Sequence, residues 1–150
     1  MLDALLRTLR EELESTEMFI SIFYAVIDPA RGTLRYANAG HPHAFCVGAD
    51  GTVERLAALD PPLGMSGQHP AAAERPWRAG SDLLLLFTDG IADARNRLDV
   101  RLGEKKVLDV VRAARRERPD AIVERVFATL RSHAGDAIRR DDLTILVARS

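Results

Sequence analysis

Residues 83 to 90 read LLLLFTDG, so five consecutive apolar side chains run directly into Thr88, Asp89 and Gly90. A short apolar run stopped by turn-forming residues predicts a buried strand. It is far too short to span a bilayer. The feature that constrains the fold is the combination of a strand made for a core and a carboxylate at its tip. Any architecture for this chain has to bury Leu83 to Phe87 while leaving Asp89 at an edge.

The other segments supply what such a strand needs. Leu2, Leu5, Leu6, Leu9 and Leu13 share one face of an amphipathic helix over residues 2 to 14, with Arg7, Arg10, Glu11 and Glu14 opposite. MFISIFYAVID, residues 18 to 28, is apolar at both alternating sets of positions and is expected to be a strand buried on both sides. DPARG follows as turn chemistry, and TLRYANAG is the return strand of a hairpin. HAFCVG and TVERLA flank Ala49-Asp50-Gly51 as a second hairpin. Residues 58 to 80, rich in proline and glycine, form a long connection with a short strand near Ala73 to Trp77. Residues 103 to 117 and 119 to 133 carry helical apolar faces, Pro119 opening the second, and LTILVAR closes the chain as a strand. Strands and helices in this order predict an α+β fold in a single domain, residues 1 to 150.

Composition narrows the partners. The chain has 21 basic and 22 acidic side chains, net −1, which gives no electrostatic reason to expect nucleic acid or an anionic membrane. A single cysteine, Cys46, excludes an internal disulfide, fits a reducing compartment and reads as a small core residue. The N-terminal MLDALLRTLREELE is too charged for the apolar stretch of a signal peptide, so a soluble cytoplasmic protein is expected.

Three carboxylates carry the chemistry. Asp89 ends one apolar strand, and Asp141 and Asp142 begin another. If those strands are antiparallel neighbours, the acids crowd one sheet edge. Their mutual repulsion is then relieved by a hard divalent cation that prefers oxygen ligands. Water on such a cation is acidified into a nucleophile. The plainer alternative is that Asp89-Gly90 is a turn dipeptide and Asp141-Asp142 a solvated edge.

The blocks MFISIFYAVIDPARGTLRYANAGHPHAF, PPLGM, LLLLFTDGIADARN and RRDDLTILVAR, in this order, resemble the bacterial SpoIIE/RsbU-like branch of the PP2C-type (PPM) metal-dependent protein phosphatases. The resemblance runs from about Met18 to Arg149. It implies a β-sandwich flanked by helices, and removal of phosphate from phosphoserine or phosphothreonine. It also implies two Mn²⁺ or Mg²⁺ ions and a phosphorylated regulatory protein of the anti-sigma-factor antagonist type as partner. Carried over by position, Asp89 and Asp141 match metal ligands, with Asp142 a neighbouring ligand candidate. Asn38, Gly40 and His41 fall in the NAGH block, read as a turn beneath the site; His41 reads as a structural histidine, with a catalytic acid as the alternative. Gly64 in PPLG reads as a loop-shaping glycine.

Two departures stand out. The family carries Gly-Asp aspartates that bridge the two ions, and no Gly-Asp pair lies upstream of Met18; the one at Gly135-Asp136 sits in the wrong place. The chain is therefore expected to be an N-terminally truncated, partial phosphatase domain with an incomplete metal site. A catalytically incomplete PP2C-like interaction module is the alternative. Removal of the first strands would uncover a sheet edge and part of the core, so the chain is expected either to self-associate, as a homo-oligomer, or to expose an unusually apolar face. The second departure is Asp93, where the family usually has glutamate. Arg139 and Arg140 read as counter-charges on a loop rather than a phosphate clamp, and the basic residues of 105 to 118 as a solvated helix face.

Overall fold

The computed structural model describes residue 13 and residues 18–65, 71–135 and 142–150. In chain order the elements are β1 (Ile22–Asp28), β2 (Thr33–Ala39), β3 (His43–Val47), β4 (Val53–Arg55), β5 (Ala73–Pro76), β6 (Leu83–Phe87), α1 (Asp89–Ala92), α2 (Glu104–Ala114), α3 (Pro119–Ala134) and β7 (Ile145–Ala148). This is the expected α+β content, with antiparallel sheets and few helices. The amphipathic helix expected over residues 2 to 14 lies outside the described residues except for Leu13, which is buried with Ala39 and Leu63. Among the described residues no helix is long and apolar enough to cross a membrane.

The chain divides into two compact units. The first, Met1–Pro42 with Leu56–Arg78, holds an antiparallel sheet in the order β1-β2-β5. The DPARG turn joins β1 to β2 as the sequence predicts: Arg31 N donates to the Asp28 carboxylate at 3.0 Å, and Gly32 takes φ +65. One expectation fails here. Residues 18 to 28 were expected to form a strand buried on both sides, yet β1 starts only at Ile22 and none of its residues is fully buried, Val26 being 48% exposed. Among the described residues β1 is the edge of its sheet, hydrogen-bonded to β2 alone. Its apolar pattern is spent on neighbours such as Tyr36, on which Phe23 stacks at 5.8 Å. Ile20 leaves the strand to bridge Leu63 through two backbone hydrogen bonds of 3.0 and 2.9 Å.

The second unit, His43–Arg55 with Ala79–Ser150, holds an antiparallel sheet in the order β4-β3-β6-β7. The register pairs His43 with Phe87, Phe45 with Leu85 and Val47 with Leu83 across β3 and β6. Because side chains alternate along a strand, one face of this sheet carries Phe45, Val47, Leu83, Leu85 and Phe87. That face packs in one core with Val107 and Val111 of α2 and Ile122, Val126 and Leu130 of α3. Cys46 points to the other face and is buried, the small core residue expected. The helix α3 opens on Pro119, also as expected. The basic face of α2 is less idle than its sequence suggests. Arg112 Nε donates to Gly51 O and Arg115 Nε, just past the helix end, to Ala49 O, each at 2.9 Å, so both arginines satisfy carbonyls of the β3–β4 turn.

Candidate functional site

β6 is anchored in the core by Leu83, Leu85 and Phe87, and its last registered partner on β7 is Ile145, opposite Phe87. Beyond that pair, Thr88 ties the two strands together. Its backbone N donates to Thr144 O at 3.0 Å, its hydroxyl donates to Asp142 O at 3.0 Å, and Thr144 N donates back to the Thr88 hydroxyl at 3.1 Å. The end of β6 therefore lies beside the start of β7. Asp89 then opens the one-turn helix α1, whose Gly90, Ile91 and Ala92 are buried while the Asp89 side chain stays 62% exposed. Asp142 is exposed at the same end of the sheet. Asp141, Arg139 and Arg140 lie outside the described residues, as does any facing of Asp141 on Asp89.

The Asp89 carboxylate has a partner that the sequence reading missed. His43, the first residue of β3, places Nε2 2.9 Å from Asp89 Oδ1 and Nδ1 2.7 Å from Glu104 Oε2. The register that sets His43 opposite Phe87 explains the geometry: the imidazole stacks on the Phe87 ring at 4.5 Å and 9° and so reaches one step past the strand to Asp89. Glu104 is the first residue of α2, and its other oxygen pairs with Arg55 of β4. The Arg55 guanidinium lies 4.6 Å over the Phe45 ring, which stacks in turn on Phe87 at 5.9 Å. Burial pushes the Glu104 carboxyl up, but hydrogen bonds and charge from Arg55 and His43 outweigh it and hold the group below its usual range. A chain Arg55–Glu104–His43–Asp89 thus runs from β4 through the start of α2 to the tip of β6. Its only sequence signal was a polar residue opening an otherwise apolar strand, HAFCV.

The NAGH block serves as the turn it was expected to be. Asn38 is 1% exposed, accepts from His41 N at 2.8 Å, and donates to His41 O at 2.9 Å and Leu56 O at 2.8 Å. Its own carbonyl accepts from Leu59 N and Asp60 N. Gly40 takes φ +76, and a Cβ there would run into the Pro62 ring. Gly64 takes φ +95, and a Cβ there would sit 2.6 Å from Met18 O, so this glycine shapes its loop. Asp93, the departure from the family pattern, pairs with Arg101 at 3.1 Å.

Oxygen donors are what Mg²⁺ and Mn²⁺ take. Asp89 offers one, since only its Oδ1 is engaged by His43 among the described residues. No group of three or more His, Cys, Asp or Glu among the described residues gathers around a common point, because His43 and Glu104 are turned toward each other and their neighbours. The described residues fit one flank of a hydrated divalent-ion site and not a closed ligand cage.

Comparison with known proteins agrees with this fold. The family model for Stage II sporulation protein E (SpoIIE) matches residues 1–150. Protein IcfG of Synechocystis is 28% identical over 129 residues, covering 86% of this chain and 20% of that protein. The phosphoserine phosphatase RsbP of Bacillus subtilis is 35% identical over 92 residues, covering 61% of this chain and 23% of RsbP. The SiaA-PP2C domain of Pseudomonas aeruginosa superposes with a TM-score of 0.82 at 23% identity, covering 97% of this chain and 57% of that one. The chain therefore spans about a fifth of the length of these two curated relatives. By a match that extends over its whole length, the chain belongs to the SpoIIE family of PP2C-type phosphatase domains.

Proposed function

We propose that this chain forms part of a metal-dependent phosphoserine/phosphothreonine protein phosphatase, with Asp89, Asp141 and Asp142 contributing ligands to one side of a Mn²⁺ or Mg²⁺ centre. The observation that carries the reading is the tie between Thr88 and the start of β7, which brings the exposed Asp89 and Asp142 to one end of one sheet. Bound divalent ions would supply Lewis acidity to phosphoryl oxygen and to water. The chain's own part is to hold Asp89 at an edge, on a strand fixed by the core, with one carboxylate oxygen directed away from His43. The ligands that would complete such a centre are the bridging aspartates of the family's Gly-Asp blocks, which these 150 residues do not contain upstream of Met18. The substrate class that suits this reading is a phosphorylated regulatory protein of the anti-sigma-factor antagonist type. The likeness to RsbP, a phosphoserine phosphatase, supports phosphoserine as the group removed.

A second reading, a PP2C-like interaction module without turnover, draws on the lack of a three-residue ligand group among the described residues. One experiment separates the two. Mn²⁺ titration by calorimetry and phosphate release from a phosphoserine peptide are measured on this chain and on a longer chain carrying a Gly-Asp segment ahead of it. The enzyme reading expects weak Mn²⁺ binding by the 150 residues, turnover by the longer chain, and collapse of both in Asp89→Asn while the fold stays intact. Turnover undiminished in Asp89→Asn would remove the role assigned to that residue. A longer chain that binds no Mn²⁺ would favour the interaction module.

A further inference from the structure

We propose that His43 is a positioning residue for Asp89, clamping one carboxylate oxygen so that the other is presented to a divalent cation. The inference rests on the reading of Asp89 as a metal ligand and assigns a role to residues that the family resemblance did not single out. Three features of the second unit carry it. First, the imidazole is held in place: it stacks on Phe87 at 4.5 Å, and its side chain is only 14% exposed. Second, both ring nitrogens are committed, Nε2 to Asp89 Oδ1 at 2.9 Å and Nδ1 to Glu104 Oε2 at 2.7 Å. Both nitrogens face carboxylate oxygens at hydrogen-bond distance, so neither is turned toward open space where a cation could bind. That makes His43 a support for a ligand rather than a ligand. Third, the support has its own support: Glu104 is held by Arg55, which lies over Phe45.

Asp89 needs such a clamp. It sits at the first position of a four-residue helix with its side chain 62% exposed, so no core packing holds the carboxylate. A carboxylate that swings freely has to be ordered when an ion binds, at a cost to affinity. One whose Oδ1 is already bonded offers Oδ2 in a single direction. Residues that orient a metal ligand in this way change metal affinity by about 10- to 100-fold when lost.

The test uses the variants His43→Phe, which keeps a ring on Phe87 and removes both nitrogens, and His43→Gln, which keeps one donor. Glu104→Gln and the double variant His43→Phe/Glu104→Gln complete the set. Mn²⁺ affinity is read by calorimetry on the whole chain, and the coupling of His43 to Asp89 is read without metal, from melting temperatures of His43→Phe, Asp89→Asn and their double variant. The expected result is a Mn²⁺ dissociation constant raised about ten-fold in His43→Phe. His43→Gln should recover part of the loss. The double variant should bind as His43→Phe does, because Glu104 acts through His43. The metal-free melting temperatures should be non-additive. Unchanged Mn²⁺ affinity in both His43 variants, with the wild type binding, overturns the proposal and leaves Asp89 as a ligand. Strictly additive melting temperatures overturn it by removing the contact. A wild-type chain that binds no Mn²⁺ overturns the ligand reading of Asp89 and this proposal with it.

Discussion

Thr88 and Thr144 are joined twice, through a backbone hydrogen bond of 3.0 Å and through the bond of 3.1 Å from Thr144 N to the Thr88 hydroxyl, and that hydroxyl donates in turn to Asp142 O two residues earlier. The side chain of Thr88 is thus a rivet between the tips of β6 and β7. Thr88→Val keeps the shape and the backbone bond but loses the hydroxyl contacts, and is expected to cost about 1–2 kcal/mol at the usual net worth of a hydrogen bond. Urea denaturation measures the loss, and faster hydrogen exchange at the Thr144 amide locates it. Thr88→Ser should behave as the wild type.

Glu104 gives stability a defined acid dependence. Burial pushes its carboxyl up, but Arg55 and His43 outweigh burial and hold it below the usual value of 4.5. A group whose folded-state pKa is depressed contributes stability that is fully present above the unfolded value and is lost as the pH falls through the folded one. The stability gap between wild type and Glu104→Gln should therefore be open above pH 4.5 and close as the pH is lowered beneath it. Denaturation midpoints of the two proteins measured across the acid range check the sign. A gap that widened toward low pH would contradict the assignment of Arg55 and His43 as the dominant partners.

Asn38 is expected to be intolerant of change. Buried, it closes hydrogen bonds to His41 N, His41 O and Leu56 O. Asn38→Leu leaves all three of those backbone groups without their partner, at about 1–3 kcal/mol for each that water cannot reach. Asn38→Asp should be no rescue, because it sets a carboxylate against two carbonyl oxygens. Both should lower the melting temperature, and Asn38→Asp should recover somewhat at acid pH as the carboxyl protonates.

Two glycines of similar backbone angle separate strain from collision. Gly40 (φ +76) and Gly80 (φ +70) both occupy the left-handed region, where a side chain costs about 1–2 kcal/mol. A Cβ at Gly80 meets nothing within 4 Å, whereas one at Gly40 strikes the Pro62 ring. Gly80→Ala should lose only the conformational term, and Gly40→Ala clearly more. Equal losses in chemical denaturation would show that Pro62 moves aside freely.

Much of the architecture could be read from local pattern. Leu83 to Phe87, the DPARG and Ala-Asp-Gly turns, Pro119 and the Asn38–His41 turn all depend on residues close together in sequence. The misreading of β1 shows the limit of pattern: Ile22 to Asp28 is apolar enough for a central strand, and only the sheet order reveals it as an edge among the described residues. His43 shows a second limit. Its partners stand at positions 87, 89 and 104, and nothing in the run HAFCV announces a link to any of them until the β3–β6 register is known. The link between Glu104 and Arg55, 49 residues apart, is hidden in the sequence for the same reason.

That register also governs which insertions and deletions a lineage of such chains can survive. The turn from Gly48 to Thr52 lies beyond the last β3–β6 pair, so residues gained or lost there change the hairpin's length without moving His43 relative to Phe87. A single residue gained between Leu83 and Phe87 would be different in kind. It would invert the alternation of every side chain after it, turn Phe87 away from the His43 ring, and carry Asp89 one step out of reach. Length variation is therefore expected to collect at the far end of the β3–β4 hairpin, while the five-residue spacing from Leu83 to Phe87 stays fixed.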